Sequence, residues 1–280
     1  MDELSRQEPE AISTAMQEYM ATKKGPFALG GNYAGSLLPV PDFVDGPDAE
    51  ATLKAVLDGL DKVATTGDFA PYHAEFVHSL LGKRTEGTGN LFTYAACGMQ
   101  KDFIPEGAGA DIVHKASSSG NFFTICAALL FRFLGAAHIT SSNPAEKPTI
   151  DPRYLSHPLD LEVIARFIRY IGTIVRADPL AKLLLPGGRR SHGAPTDLTD
   201  LEQAKAYAKQ ATLSYWHLTS TCAMLPRERG GVVDPSLLVY GVEGLRIVDA
   251  SVFPVATRGN SQTTVYAVAE RAADLIKGSA

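Results

Sequence analysis

Two polar side chains near the C-terminus, His217 and Asn260, are of the types that move protons and hold polar ligands. A histidine titrates near neutral pH and can accept a proton from an alcohol, which accelerates a reaction by roughly 10²–10⁴ when the ring is well positioned. A histidine that is buried and hydrogen-bonded for structural reasons alone is the other interpretation of His217. The residue by itself leaves both interpretations open.

Asn260 lies just before a predicted helix, where two roles are open to it. Its side chain can cap the free N–H groups of the first turn, or it can point into a pocket beside the helix N-terminus, whose partial positive charge favours anions. Thr263 and Thr264, in the same turn, are candidates to lend backbone N–H groups to the polarised edge of a ring. Taken with His217, these residues indicate a ligand site.

A strand, a connection and a helix are predicted to position these side chains. The strand covers Leu245–Asp249, the connection Ala250–Asn260 contains Pro254 and Gly259, and the helix covers Thr263–Lys277. The helix carries an apolar stripe that can pack on a core, made of Val265, Val268, Ala269, Ala272, Leu275 and Ile276. This order of elements is typical of ligand sites in α/β proteins.

The preceding sequence predicts helices together with a small sheet. Apolar residues recur at helical spacing in five segments, Asp2–Ala21, Ala49–Ala64, Pro71–Leu81, Leu161–Ile174 and about Asp200–Ala211. Two strands, Phe122–Phe131 and Ala136–Ser141, are predicted to form an antiparallel pair across a turn or bulge near Gly135. The Gly- and Pro-rich stretch Pro26–Gly46 predicts an ordered loop.

Composition argues against several classes of protein. The 280 residues, 45% of them hydrophobic, can bury the core of one large or two modest domains. A net charge of -5 and a pI near 5.8 argue against nucleic-acid binding. The three cysteines, Cys97, Cys126 and Cys222, form no CxxC, which indicates neither a disulfide framework nor a metal site. The acidic N-terminus lacks the pattern of a signal peptide, and no apolar run reaches the ~20 residues that span a bilayer, so we expect a cytoplasmic chain without a membrane partner.

Several motifs are too specific to belong to a generic core. Four lie near the C-terminus: Trp216-His217-Leu218-Thr219-Ser220-Thr221-Cys222-Ala223-Met224, Gly230-Gly231-Val232-Val233-Asp234-Pro235, Gly244-Leu245-Arg246-Ile247-Val248-Asp249-Ala250-Ser251 and Arg258-Gly259-Asn260. Three more are Ser142-Asn143-Pro144, Asp151-Pro152-Arg153-Tyr154 and Val265-Tyr266-Ala267-Val268-Ala269-Glu270-Arg271. In these motifs the chain resembles the glucose-methanol-choline (GMC) family of FAD-dependent oxidoreductases, most closely its fungal branch of aryl-alcohol-oxidase-like dehydrogenases.

The resemblance implies a role for each matched residue. His217 would take the substrate hydroxyl proton while hydride passes to flavin N5, and Asn260 would hold the substrate oxygen. The implied FAD contacts are Asp249 and Ala250 at the phosphates and ribose, with Gln262, Thr263 and Thr264 near the flavin pyrimidine edge. The candidates for the substrate pocket are Tyr215, Trp216 and Phe122.

The resemblance also implies the fold class, which is α+β. Residues 1–212 would form an N-terminally truncated substrate-binding domain with an antiparallel sheet and helices. Residues 213–280 would carry the catalytic pair on a remnant of the α/β FAD-binding domain.

The chain departs from the family pattern at three places. It has no strand followed by Gly-x-Gly-x-x-Gly, the motif whose glycines let the backbone approach the dinucleotide pyrophosphate. Relatives usually show His-Pro-x-Gly-Thr where this chain has His217-Leu218-Thr219-Ser220-Thr221, and a family-typical Ser-Arg-Gly turn becomes Leu134-Gly135-Ala136. These changes bear on the cofactor geometry.

Three functional hypotheses follow. The first is an oxidoreductase that acts on the CH–OH group of a small aromatic or secondary-metabolite alcohol, binding FAD with a complementing N-terminal half. The second is a flavin-independent cyclase or lyase, pericyclic closure included, that uses the inherited pocket for its small-molecule substrate. The third is an inactive truncated remnant. An uncovered sheet edge or face would also favour a homo-oligomer.

Overall fold

The structure is a computed structural model, and it describes residues 4, 8–28, 34–60, 70–95, 123–129, 135–183, 194–195, 197–212, 214 and 216–278. The chain divides into two compact units of three stretches each. Unit 1 comprises Met1–Pro41, Gly89–Ala128 and Leu161–Leu213, and unit 2 comprises Asp42–Thr88, Leu129–Asp160 and Ser214–Ala280. The chain passes from unit 1 to unit 2 between Leu213 and Ser214, close to the domain boundary that the sequence predicts after residue 212. The assignment of those domains stays a prediction.

The helices of the described part are α1 (Pro9–Thr22), α2 (Pro41–Val44), α3 (Ala49–Leu60), α4 (Ala70–Leu81), α5 (Pro158–Ile174), α6 (Leu201–Ala211) and α7 (Gln262–Lys277). The strands are β1 (Ala34–Leu38), β2 (Gly89–Ala95), β3 (Phe123–Leu129), β4 (Ala136–His138) and β5 (Thr149–Asp151). Short 3-10 turns lie at Pro26–Ala28, Leu180–Leu183, Arg227–Arg229 and Ala250–Val252.

Each predicted helix has a counterpart in the structure, and the largest difference is at the start of α1. The prediction ran one helix from Asp2, whereas Glu8 is extended and α1 begins at Pro9. Leu4 is helical, and residues 2–3 and 5–7 lie outside the described residues. Proline lacks an N–H group and has a helical φ, which suits the first position of a helix. The predicted end of α3, residues 61–64, lies outside the described residues.

Unit 1 contains a three-stranded sheet in the order β1-β2-β3. β1 and β2 are antiparallel, with Ala34 opposite Thr93 and Leu38 opposite Gly89. The prediction of a loop over Pro26–Gly46 is therefore wrong for β1 and for the short helix α2, and β2 was not predicted. Each of these strands is stabilised by a partner far along the chain, so a local pattern does not reveal it.

The predicted pairing of the two strands on either side of Gly135 is also wrong. β3 belongs to the sheet of unit 1, whereas β4 pairs antiparallel with β5 in unit 2, with Ala136 opposite Asp151. A turn in the connection explains this pairing, because Asn143 Oδ1 accepts a hydrogen bond from Ala145 N–H at 3.1 Å. Such a turn reverses the chain locally and brings β5 back to β4.

Helices α5 and α6 contribute to a core in unit 1. Its buried members are Ala165, Leu198 and Ala204, and Ile168, Leu201 and Tyr207 pack against them. The start of α6 is defined by Asp200, whose Oδ1 accepts hydrogen bonds from Glu202 N–H at 2.8 Å and Gln203 N–H at 3.1 Å. This is the side-chain cap expected of aspartate at a helix N-terminus.

Three charged side chains connect α5 and α6. Glu162 Oε1 lies 2.5 Å from Arg166 Nη2, and Glu162 Oε2 lies 2.6 Å from Lys205 Nζ. Burial alone would raise the pKa of Glu162, but the hydrogen bonds from Lys205 and Arg166 outweigh that effect and hold the pKa below its usual value. The carboxylate therefore stays ionised at neutral pH and joins the two helices.

The core of unit 2 packs against one face of α7. Its buried members are Val233, Leu237, Val252, Phe253 and Ala272, and the partly buried side chains from α7 are Val265, Val268 and Leu275. Four members of the predicted apolar stripe, Val265, Val268, Ala272 and Leu275, are thus confirmed. Ala269 and Ile276 are instead exposed.

The predicted strand Leu245–Asp249 is wrong, because the segment forms only an isolated antiparallel bridge between Arg246 and Leu238. The segment opposite is folded into a turn by Asp234, whose Oδ1 accepts from Ser236 N–H at 2.8 Å and Leu238 N–H at 2.9 Å. A turn held by an aspartate side chain leaves a short edge for pairing.

The segment that carries His217 has backbone in the left-handed region at two residues, Trp216 with φ 55° and Ser220 with φ 76°. Glycine adopts this conformation without a steric penalty, whereas other residues are strained in it. Ser220 stands at the position of the glycine in the family pattern His-Pro-x-Gly-Thr. Ser220 therefore adopts a backbone conformation that glycine would adopt without strain.

Replacing Ser220 with glycine should raise the free energy of unfolding slightly. The change removes about 1 kcal/mol of steric strain, part of which is offset by the greater freedom of glycine in the unfolded chain. Urea unfolding monitored by tryptophan fluorescence measures the difference. Ser236→Gly is the control, since Ser236 has no positive φ, and it should lower stability by about 0.5 kcal/mol. Equal effects of the two substitutions would contradict this account.

Two histidines of unit 2 are buried. His73 of α4 is 3% exposed, and His157, just before α5, is 9% exposed. The Nδ1 atom of His157 accepts a hydrogen bond from Leu159 N–H at 3.2 Å, so this nitrogen is unprotonated and caps the start of α5. Burial, and to a smaller extent the charge of a neighbouring histidine, lowers the pKa of each ring to about 4.

These histidines should make the chain less stable as the pH falls from 7 toward 4. Their folded pKa of about 4 lies below the ordinary value of 6.5, so stability that is fully present above pH 6.5 is lost as protons bind the unfolded chain preferentially. His157→Asn keeps a capping oxygen but cannot titrate, and its unfolding free energy should fall less between pH 7 and pH 5. The exposed His138→Asn is the control. If the unfolding free energy of His157→Asn falls with pH as steeply as that of the wild type, His157 is not the source of this pH dependence.

Candidate active site

Two neighbouring stretches of unit 2 carry the predicted catalytic residues. The N–H group of Met224 donates to the carbonyl oxygen of Val252 at 2.8 Å, and the Val252 side chain is fully buried in the core. This bond anchors the stretch that follows His217 beside the stretch that leads to Asn260. The two stretches therefore reach the site from the same piece of core.

The side chains of His217 and Asn260 are in direct contact. His217 Nε2 lies 3.0 Å from Asn260 Oδ1. The residue at the N-cap of α7 is Ser261, and that end of the helix has no side-chain capping bond. Asn260 therefore does not cap the helix, and its side chain turns toward His217 instead. The catalytic role of the pair stays a prediction.

This hydrogen bond limits the protonation states that the pair can adopt. An amide oxygen only accepts, so His217 Nε2 carries a proton when Asn260 Oδ1 faces it. If the amide turns over, Asn260 Nδ2 donates to an unprotonated Nε2. The pair can accordingly hold a ring nitrogen that gives a proton or one that takes a proton.

The two residues implied to contact the phosphates and ribose of FAD lie on the stretch before Asn260. Asp249 is exposed, and its Oδ1 accepts from Ser251 N–H at 2.8 Å as the cap of the 3-10 turn. Ala250 is partly buried and packs against the core of unit 2. Asp249 thus lies at the surface, on the stretch of chain that leads to Asn260.

The residues implied at the flavin edge form the first turn of α7. Val265 N–H donates the first-turn hydrogen bond at 2.9 Å, and the amides of Gln262, Thr263 and Thr264 precede it at an end without a side-chain cap. The Gln262 side chain donates to the Tyr266 hydroxyl at 2.8 Å. An uncapped helix N-terminus fits the carbonyl edge of a flavin, where negative charge develops on reduction.

The residues on either side of His217 present apolar surface. Trp216 is 65% exposed and Leu218 is 74% exposed, and Trp216 N–H donates to Ser214 Oγ at 3.1 Å. Trp216 is thus the one predicted pocket residue that the structure describes. The other two candidates, Tyr215 and Phe122, lie outside the described residues.

One ion pair near the site was not predicted from the sequence. The guanidinium group of Arg258, two residues before Asn260, pairs with the carboxylate of Glu86. The partners are 172 residues apart, so no local pattern connects them.

Neither a metal cluster nor a membrane-spanning helix is found among the described residues. In that part of the chain no cluster of three or more histidine, cysteine, aspartate or glutamate side chains could hold a metal ion. The helices there are also too short or too polar for any of them to cross a membrane.

The chain is similar in sequence to fungal enzymes. The family model for GMC oxidoreductases matches residues 134–269. Dehydrogenase mpl7 of Monascus purpureus is 40% identical over 146 residues, which cover 51% of this chain and 22% of that protein. Versicolorin B synthase stcN of Emericella nidulans is 34% identical over 195 residues, which cover 67% of this chain and 28% of that protein.

The fold is shared with solved structures. An FAD-dependent oxidoreductase from Chaetomium thermophilum is 21% identical, with a TM-score of 0.72 over 99% of this chain and 44% of the other. A fungal aryl-alcohol oxidase is 25% identical, with a TM-score of 0.69 over 94% of this chain and 42% of the other. The predicted class, helices with a small antiparallel sheet as in a GMC substrate domain, is confirmed.

The chain spans less than half the length of the relatives that it matches. The matched region nevertheless contains His217, Asn260 and most of the core of unit 2. Residues 134–269 thus carry the match to the GMC oxidoreductases, and the family similarity rests on this C-terminal portion.

Proposed function

We propose that the chain contributes the proton-transfer residues of an enzyme that oxidises the CH–OH group of a small alcohol. The observation that carries this proposal is the 3.0 Å contact between His217 Nε2 and Asn260 Oδ1. In the proposed reaction an unprotonated Nε2 takes the hydroxyl proton, and the Asn260 amide holds the substrate oxygen. Proton transfer to a placed histidine supports rate effects of roughly 10²–10⁴.

FAD is the proposed acceptor of the two electrons and the hydrogen that leave the substrate carbon as it becomes a carbonyl carbon. The first-turn amides of Gln262, Thr263 and Thr264 would face the pyrimidine edge of the ring, and Asp249 and Ala250 would face the ribose and phosphates. The sequence has no Gly-x-Gly-x-x-Gly motif for the pyrophosphate. We propose that a complementing N-terminal half supplies that contact.

The proposed substrate is aromatic or a fungal secondary metabolite. The exposed ring of Trp216, next to His217 in the chain, offers a flat apolar surface on which an aromatic substrate can stack. The similarity to a fungal aryl-alcohol oxidase and to a Monascus dehydrogenase supports the same choice. Binding of this kind places the alcohol beside the proton-transfer pair.

Substitutions at the pair test the proposal in the chain supplied with FAD and a complementing N-terminal half. With benzyl alcohol as the probe and a dye as electron acceptor, His217→Ala should lower turnover by roughly 10²-fold or more. Asn260→Asp should also lower turnover, because a carboxylate only accepts and so keeps Nε2 protonated.

The exposed His138→Ala is the matched control and should turn over like the wild type. Wild-type turnover in His217→Ala would refute the role of the histidine. Absence of flavin absorbance after reconstitution would refute the role of FAD.

A flavin-independent cyclase or lyase is the second candidate. It is favoured by the similarity to versicolorin B synthase, whose name describes a synthase and not an oxidation. The same histidine and asparagine can move a proton without any redox partner. Turnover without flavin or acceptor would select this candidate, and turnover that reduces one acceptor per product would select the oxidoreductase. An inactive remnant would show neither.

A further inference from the structure

The stretch that carries Asn260 has few local constraints. After the buried Phe253 the chain has no regular structure until α7 begins at Gln262. Gly259, directly before Asn260, has φ 74°, and a side chain at this glycine would meet no atom within 4 Å. Glycine is the most permissive backbone unit. The position of Asn260 therefore depends on what holds the chain on both sides of it, the residues just before Gly259 and the first turn of α7 after Ser261.

Arg258 is held from outside its own stretch. Its guanidinium group pairs with the Glu86 carboxylate, and the two side chains are 38% and 30% exposed. Glu86 lies in a turn that follows α4, where its N–H donates to the Lys83 carbonyl oxygen at 3.1 Å. Thr88, two residues further on, is buried at 4% exposure. The ion pair thus connects the residues before Asn260 to an ordered part of unit 2.

Charge pairs of this exposure add little to stability, since the usual contribution is about 0–1 kcal/mol. An arginine–carboxylate contact does, however, constrain orientation. Orientation matters at this site because a displacement of about 1 Å can lower an enzymatic rate by roughly 10². The consequence of the pair should therefore appear in the geometry of Asn260 more than in the stability of the fold.

We propose that Arg258, through its ion pair with Glu86, is a positioning residue that holds the Asn260 side chain against His217. Its effect on turnover rests on the proposed function, but its effect on the hydrogen bond does not. The proposed positioning involves only side chains of this chain.

The test measures the His217 ring nitrogens by long-range ¹H–¹⁵N NMR in the full chain without flavin. Asn260→Ala removes the hydrogen bond from Asn260 and defines the spectrum of His217 without it. Arg258→Gln and Glu86→Gln should each move the His217 nitrogens toward that spectrum. Asp45→Asn is the matched control, because it breaks the more exposed pair of Asp45 with Arg84, which lies two residues before Glu86 in the chain, and should leave the His217 nitrogens unchanged.

A charge reversal separates positioning from a general loss of structure. The double variant Glu86→Arg with Arg258→Glu restores an ion pair and should return the His217 nitrogens toward the wild-type spectrum. In the reconstituted enzyme the single variants should lower kcat by about 10-fold, and Arg258→Gln should add little to Asn260→Ala.

If the His217 nitrogens keep their wild-type NMR spectrum in Arg258→Gln and in Glu86→Gln, the positioning proposal is overturned. This outcome does not depend on whether the enzyme oxidises alcohols. A shift in these nitrogens with no detectable alcohol turnover in the wild type would support the positioning role and count against the proposed function. The two proposals therefore fail separately.

Discussion

Val252 and Phe253 are buried where two stretches of unit 2 meet, and their burial determines where the candidate site can form. Each such side chain contributes about 1.5–3 kcal/mol when it is fully removed from water. The same short stretch offers the Val252 carbonyl oxygen to Met224 N–H, which fixes the chain beyond His217. α7 packs on the same core through Ala272, and Asn260, two residues before the helix, contacts His217.

The backbone is strained on each side of His217. Trp216 and Ser220 both have left-handed backbone, one on each side of His217 in the chain. Non-glycine residues adopt that conformation only where the surrounding structure outweighs a cost of about 1–3 kcal/mol, and such residues concentrate at functional sites. The backbone around His217 is therefore shaped by the core more than by the intrinsic preferences of its residues.

Charges contribute differently in the two units. In unit 1, Glu162 has little exposure and is satisfied by Arg166 and Lys205, so its ionisation is part of how α5 and α6 are joined. In unit 2, the pair of Arg258 with Glu86 is more exposed, and its value lies in orientation. Burial thus decides whether an ion pair acts on stability or on geometry. Burial also acts on the two histidines of unit 2, because removal from water lowers the pKa of each ring and keeps it neutral.

The sequence by itself determined the longer helices and carries the motifs that resemble the family. Helical spacing and the aspartate that caps α6 act within a few residues, so they can be recognised in one chain. Tertiary structure decided which strands pair with β1 and β4. It also decided that Leu245–Asp249 forms an isolated bridge and not a strand, and that the Asn260 side chain faces His217. These outcomes depend on contacts between residues far apart in sequence, whose free energy appears only when the core has brought them together.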